Sequence, residues 1–238
     1  MVENRFEQCD GRALVAYWEI NRHFFHTFEI GTDEAEAVIP DHLNIVEVRP
    51  GVALLSIGVL RYTTGHFGRA DYPEFDEVVT AVHVSPDLSV DMPVPNMSFY
   101  SLFVYSNSPE FVEQDKRTIQ TPAVYIPSLK VNYIDDFTVE MEDENGPIAS
   151  LVNHHADLRF EQTELWGQHF TDAKALSQGI WEWDGRRSEN MRVNKDWVLH
   201  DHPVFKGLKV SKIRKCYNQM LLEPGTLCRE RFYDMKLI

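Results

Sequence analysis

The sequence predicts an α+β chain that is mainly β, a closed or strongly curved antiparallel β-barrel with short helices on its outside. Three observations lead there. Apolar residues alternate with a period of two in short β-branched or aromatic segments bounded by Pro, Gly, Asn or Asp. Helix signals are few, and each covers about two turns. No repeat, low-complexity tract or linker interrupts the sequence, so residues 1–238 read as a single domain able to bury one sizeable core.

Taken in order, Thr32 is placed to cap a short helix, DEAEAVI, which Pro40 ends. Val52 to Tyr62, Val78 to Val84, Phe99 to Tyr105, Tyr125 to Tyr133 and Phe137 to Glu142 read as strands. Ser108-Pro109 supplies an N-cap and first-turn pair for the helix PEFVEQDKR. Asn145-Gly146, between Thr138 to Asp143 and Pro147 to Asp157, predicts a hairpin closed by a type I′ turn with positive φ at both residues. The acidic run Glu142-Asp143-Glu144 then sits at a solvated tip, without the alternating oxygen ligands of a calcium loop. Asp172 to Gly179 after Thr171 is a third helix candidate, in a stretch from 160 to 200 with no clear period. A barrel of this kind has a mouth, and mouths hold ligands.

Composition removes several function classes. A net charge of −14, from 23 Lys and Arg against 37 Asp and Glu, repels nucleic acid and anionic membrane surfaces. No apolar run approaches the roughly 18 residues of a membrane span, and the start MVENRFEQCDGR is polar and acidic, so a cytoplasmic protein with no membrane partner is expected. Cys9, Cys216 and Cys228 are scattered without CxxC spacing and read as free thiols. Nucleotide-binding loops, a GxSxG elbow and HExxH are missing, so no cofactor is expected. Among the ten histidines, adjacent His154 and His155 point to opposite faces of a strand. His200 and His202 share a face without a third ligand nearby. No metal site is expected, a distant carboxylate joining His200 and His202 being the one arrangement left open.

A more specific signal comes from segments in shared order: Asn21-Arg22 with two aromatics, Thr32-Asp33 and a helix ending at Ile39-Pro40, Phe75-Asp76-Glu77 before VVTAVHVS, KRTIQTPAVYIPSLK from Lys116 to Lys130, and Leu208-x-Val210 with LLEPGTL and Tyr233-Asp234. Together these resemble the acetoacetate decarboxylase family over residues 20 to 158 and 203 to 234. The resemblance implies that family's fold, a small-molecule substrate or ligand and a homo-oligomer. It also assigns site residues. Arg22 matches the family's substrate-side arginine and Glu77 one of its two pocket glutamates, while Ser56 stands at the other glutamate and Ala123-Val124 where the family has Lys-Lys. Ala123, Ser56, Tyr125 and Phe25 are then expected to line the substrate pocket.

The losses are mutually consistent. A Schiff-base lysine is nucleophilic because desolvation and a neighbouring cation lower its pKa. Ala123-Val124 supplies neither amine nor cation, and a buried carboxylate without cationic company is costly, so Ser56 fits loss of the whole charged subset. Arg22 as anion clamp and Glu77 as acid and base would serve a lyase or isomerase: dehydration, tautomerisation or cyclisation of a carbonyl or carboxylate compound. An ion pair of Arg22 with Glu77 would serve structure alone. Two alternatives stay open: a non-catalytic binding protein for an apolar ligand, and a decarboxylase or aldolase with a displaced lysine at Lys130.

Overall fold

A computed structural model describes residues 13–67, 70–86, 94–118, 121–153, 158–162, 166–170, 178–190 and 196–233. Its elements are β1 (Ala13–Gly31), α1 (Thr32–Glu36), β2 (Val52–Phe67), β3 (Ala70–Tyr72), β4 (Phe75–His83), β5 (Met97–Ser106), α2 (Pro109–Thr118), β6 (Ala123–Tyr125), β7 (Lys130–Tyr133), β8 (Thr138–Asp143), β9 (Gly146–Val152), β10 (Leu158–Gln162), β11 (Trp166–Phe170), β12 (Gln178–Asn190), β13 (Trp197–Leu199), β14 (Cys216–Leu222) and β15 (Thr226–Tyr233), with short 3₁₀ turns at Pro203–Phe205 and Val210–Lys212.

The pairings of the larger sheet return to their starting strand. β1 pairs β2 along one edge and β15 then β14 along the other. From β2 the ladder continues through β4 to β5, crosses to β11 and β12, and reaches β14 and β15. Most pairs are antiparallel as expected, but β5 runs parallel to both β11 and β6. A smaller sheet, β13-β9-β8-β7, lies outside this circuit.

This arrangement sorts the apolar residues into two clusters. Phe24, Ile57, Val59, Val78 and Val82, on the outer face of the ring, pack with Val131, Val139, Met141, Ile148 and Leu151 of the smaller sheet. Trp18, Leu60, Tyr62, Phe67, Phe75 and Phe111 form a second cluster within the ring. β4 is buried on both faces, which is why Phe75–His83 shows no clean alternation of apolar and polar residues. β8 keeps the two-residue period, with Val139, Met141 and Asp143 buried.

Several local expectations need correction. Gly31 occupies the cap position of α1, its N–H donating to the Glu34 carboxylate at 3.0 Å, while the Thr32 hydroxyl donates to Glu47 at 2.6 Å. Tyr125 to Tyr133 is not one strand: Pro127 lies in a turn that ends β6 and sends β7 into the other sheet. In the β8–β9 hairpin only Gly146 has positive φ, at 110°. Asp143 holds the turn by accepting from the Asn145 N–H at 2.6 Å, and this side-chain turn replaces the type I′ geometry. Ser108 does cap α2, accepting from the Phe111 N–H at 3.2 Å. The candidate helix at 172–179 and the His154-His155 pair fall largely or wholly outside the described residues.

The longest strand, β1, carries no strand signal in the reading above, and its ladder explains why. Its register against β2 shifts on both sides of Ile20, leaving Asn21 and Thr63 unopposed. Such bulges exchange the faces of a strand, so a single count of alternation does not run through it.

Candidate active site

A cavity of about 90 Å³ lies inside the ring. Each strand contributes by parity: β1 presents Trp18, His23 and Phe25, β2 presents Leu60 and Tyr62, β4 presents Glu77 and Val79, and β15 presents Cys228 and Glu230. The change from Trp18 to odd-numbered His23 and Phe25 is the bulge at Asn21 seen from inside. α2 adds Phe111 and Asp115, four residues apart and hence on one helical face. β12 adds Trp181, Trp183 and Arg187.

Three carboxyls therefore line an aromatic cavity. Glu77 is 8% exposed, and burial, followed by the charges of Glu230 and Asp115, raises its pKa well above the usual carboxyl range. Asp115 is raised in the same way, by burial first and then by Glu230, with Lys116 opposing. One Asp115 oxygen accepts from the Thr121 hydroxyl, and the other, Oδ1, is buried with no hydrogen-bond partner. Glu230 accepts from two indoles, Trp18 Nε1 at 3.0 Å and Trp181 Nε1.

Burial favours the neutral forms of three further lining groups. Burial lowers His23 to about 3, and its ring stacks on Trp183 at 5.2 Å. Burial raises the Tyr62 hydroxyl and the Cys228 thiol, so Cys228 is a poor nucleophile. Burial thus favours the protonated forms of Glu77 and Asp115 in an apolar surround, a setting suited to proton transfer.

The residues singled out from sequence are dispersed. Glu77 and Phe25 line the cavity. Arg22 does not: the bulge turns it to the outer face, where it donates to the Asp135 carbonyl at 2.8 Å and to Asp136 at 2.9 Å. It forms no ion pair with Glu77. The guanidinium in the lining belongs to Arg187. Ser56 is buried, with its Oγ 2.9 Å from Thr27 Oγ1 and 2.7 Å from His83 Nε2, and it stands outside the lining. Ala123 is packed in the inner aromatic cluster, two residues past the lining residue Thr121, and Tyr125 is 41% exposed. Lys130 lies on the smaller sheet and donates to Glu142 at 2.7 Å in solvent, so it is not a displaced site lysine. The distant carboxylate for His202 is Asp143, at 3.0 Å, but this pair ties the hairpin tip to the Pro203–Phe205 turn. Among the described residues no three His, Cys, Asp or Glu are grouped to hold a metal ion.

Asp115 and Glu230 were legible but unread. Asp115 shares the apolar stripe of its helix with Phe111, and Glu230 is in phase with buried Thr226 and Cys228. Trp181-Glu-Trp183 likewise alternates within a stretch that shows no longer period.

No protein-family model matches the chain, and no curated protein matches it. Solved structures do. An acetoacetate decarboxylase from Legionella pneumophila subsp. pneumophila str. Philadelphia 1 superposes with a TM-score of 0.61 at 11% identity, covering 93% of this chain and 86% of that one. The enduracididine biosynthesis enzyme MppR complexed with pyruvate gives 0.53 at 8% identity over 95% and 90%. An acetoacetate decarboxylase-like enzyme from Sphingomonas wittichii RW1 gives 0.52 at 9% identity over 99% and 98%. At these identities the likeness establishes an acetoacetate decarboxylase-like fold. No helix among the described residues is long and apolar enough to cross a membrane.

Proposed function

We propose that this chain is a small-molecule lyase or isomerase that works on the acetoacetate decarboxylase-like scaffold without a Schiff-base lysine, using Glu77 as acid and base on a carbonyl compound. The observation that carries the reading is a buried Glu77, its pKa raised by burial, facing an apolar cavity, where a carboxyl can donate to a carbonyl oxygen and take back a proton from carbon. Arg187 takes the anchoring role that the sequence suggested for Arg22. Support for lysine-free chemistry comes from the lining, which draws on no lysine among the described residues, and from Ala123, whose methyl group is packed among aromatics. Neighbours of the same fold include a decarboxylase and an enzyme solved with pyruvate, which favours small oxo compounds. Homo-oligomer formation and a barrel-like enclosure belong to the same proposal.

The test is a panel of 2-oxo acids, 3-oxo acids and aldehydes. Proton NMR in deuterated buffer is expected to reveal exchange at the carbon beside the carbonyl, lost in Glu77→Gln. Borohydride is expected to leave the intact mass unchanged. A trapped adduct mapped to a lysine would overturn the lysine-free reading. A second reading, a non-catalytic carrier, is favoured by the predominance of aromatic and aliphatic lining. An apolar ligand retained in native mass spectra, chemically unchanged over time and with no exchange in the panel, would select it.

A further inference from the structure

The acidic end of the cavity has a use that proton transfer at Glu77 leaves unassigned. Asp115 and Glu230 line the same space as Glu77, yet one carboxyl suffices to exchange a proton with a carbonyl compound. Reaction at the carbonyl makes no demand on two further carboxyls, whose burial is costly unless a ligand group meets them. Asp115 Oδ1 is buried without a partner, in a residue 1% exposed, and His23 Nδ1, in a residue 4% exposed, is also without one. Both are polar atoms of lining residues that the folded chain leaves unsatisfied.

Around the carboxyls stand aromatic rings. Trp18 contacts Tyr62 at 5.1 Å and Phe111 at 5.7 Å between ring centroids, and all three rings line the cavity. Carboxylates set among aromatic faces match an organic cation, which gains hydrogen bonds from the former and cation–π attraction from the latter. A bare metal ion would need closely grouped ligands, and among the described residues none are so grouped.

We infer that the ligand of this cavity carries a protonated amine or guanidinium, seated on Asp115 and Glu230 beside Trp18, Tyr62 and Phe111, with Glu77 left free to move the proton. The inference rests on the proposed function for the role of Glu77 alone; recognition of the cation stands on binding. Burial favours the protonated form of Asp115 and a cation beside it favours the charged form, so arrival of the cation drives proton release to solvent. Glu230 and Lys116 act on Asp115 directly, and Glu77, His23, Tyr62, Cys228 and the Arg187 guanidinium line the same cavity.

Isothermal titration with n-butylamine, butan-1-ol and butyrate, close in size and different in charge, decides the matter. Near neutral pH butylamine is expected to bind at least about tenfold more tightly than butan-1-ol, with proton release seen as a dependence of the heat on buffer ionisation. Asp115→Asn is expected to bring butylamine to the level of butan-1-ol, whose own unchanged affinity reports an intact cavity. Butyrate or butan-1-ol equalling butylamine in the parent protein, or an undiminished amine preference in Asp115→Asn, would overturn the inference. Glu77→Gln separates the two readings: loss of solvent exchange with the amine preference retained supports both. Amine preference in a parent protein that exchanges no substrate proton sinks only the proposed reaction.

Discussion

The Trp18 indole covers Gly65 so closely that a Cβ at Gly65 would overlap ring atoms Cε3 and Cζ3 of Trp18. The same indole donates to Glu230 at 3.0 Å, so the missing side chain on β2 sets the position of a carboxylate presented by β15. Gly65→Ala is expected to displace the ring and to cost about 1–3 kcal/mol of stability. Urea denaturation followed by tryptophan fluorescence checks this. An unchanged midpoint and emission maximum would mean that the indole has another place to lie.

Two buried carboxyls make stability depend on pH in an unusual direction. The folded pKa values of Glu77 and Asp115 are raised, so the folded chain binds more protons than the unfolded one above the ordinary carboxyl range. Their contribution is therefore complete below that range and lost as pH rises through the raised values. His23 and His83 act on the acid side: lowered from 6.5 to about 3 and about 4, they withdraw stability as pH falls below 6.5. Glu77→Gln and Asp115→Asn should each flatten the alkaline decline while keeping the acid one. Melting temperatures across a pH series measure this, and a parent-like alkaline slope in both variants would contradict it.

Arg22 and Arg61 should separate cleanly. Arg22 pairs with Asp136, which is 80% exposed, and Arg22→Ala is expected to cost under about 1 kcal/mol and to leave substrate exchange and cavity binding unchanged. Arg61 grips buried Asp76 with two bonds of 2.8 Å, stacks over Tyr133 and donates to the Val131 carbonyl, joining the two sheets. Arg61→Ala leaves that buried carboxylate without its cation and is expected to cost about 3 kcal/mol or more. Chemical denaturation of both variants tests the ranking.

His202 is expected to be structural. Its Nδ1 accepts from the Val204 N–H, which directs the Nε2 proton toward Asp143 in a pair almost wholly buried. His202→Ala should cost about 1–3 kcal/mol by removing a buried hydrogen-bond partner of Asp143. Zinc or nickel added to the parent protein should leave its melting temperature unchanged at this site, and a stabilisation abolished by His202→Ala would reverse the assignment.

Much of this fold could be read because side-chain parity is a local property. β2, β4, β5, β8 and α2 follow from alternation, turn residues and the Ser108 cap, and Glu77 was found through the resemblance of Phe75-Asp76-Glu77 to the family's pocket segment. Where a bulge shifts the phase, the same reasoning fails. Arg22 was assigned inward by its motif, and the unopposed Asn21 turns it outward. Ser56, Ala123 and Tyr125 were placed by analogy with side chains this chain does not have, and here the space is filled otherwise. The parallel contacts of β5 with β6 and β11 have no local signature, since they depend on where distant segments arrive.

The circuit of strands also constrains how the chain is made. Trp18 meets Glu230 across 212 residues of sequence, and one long edge of β1 is covered only by β14 and β15. During synthesis β1 can find β2 early, but its other edge waits for the final strands to leave the ribosome. Until then a nascent chain displays a long, apolar, unpaired strand, the kind of surface that seeds aggregation and attracts chaperones. Truncation before β14 should therefore yield insoluble protein even though β4, which carries Glu77, and its two flanking strands β2 and β5 have all been translated.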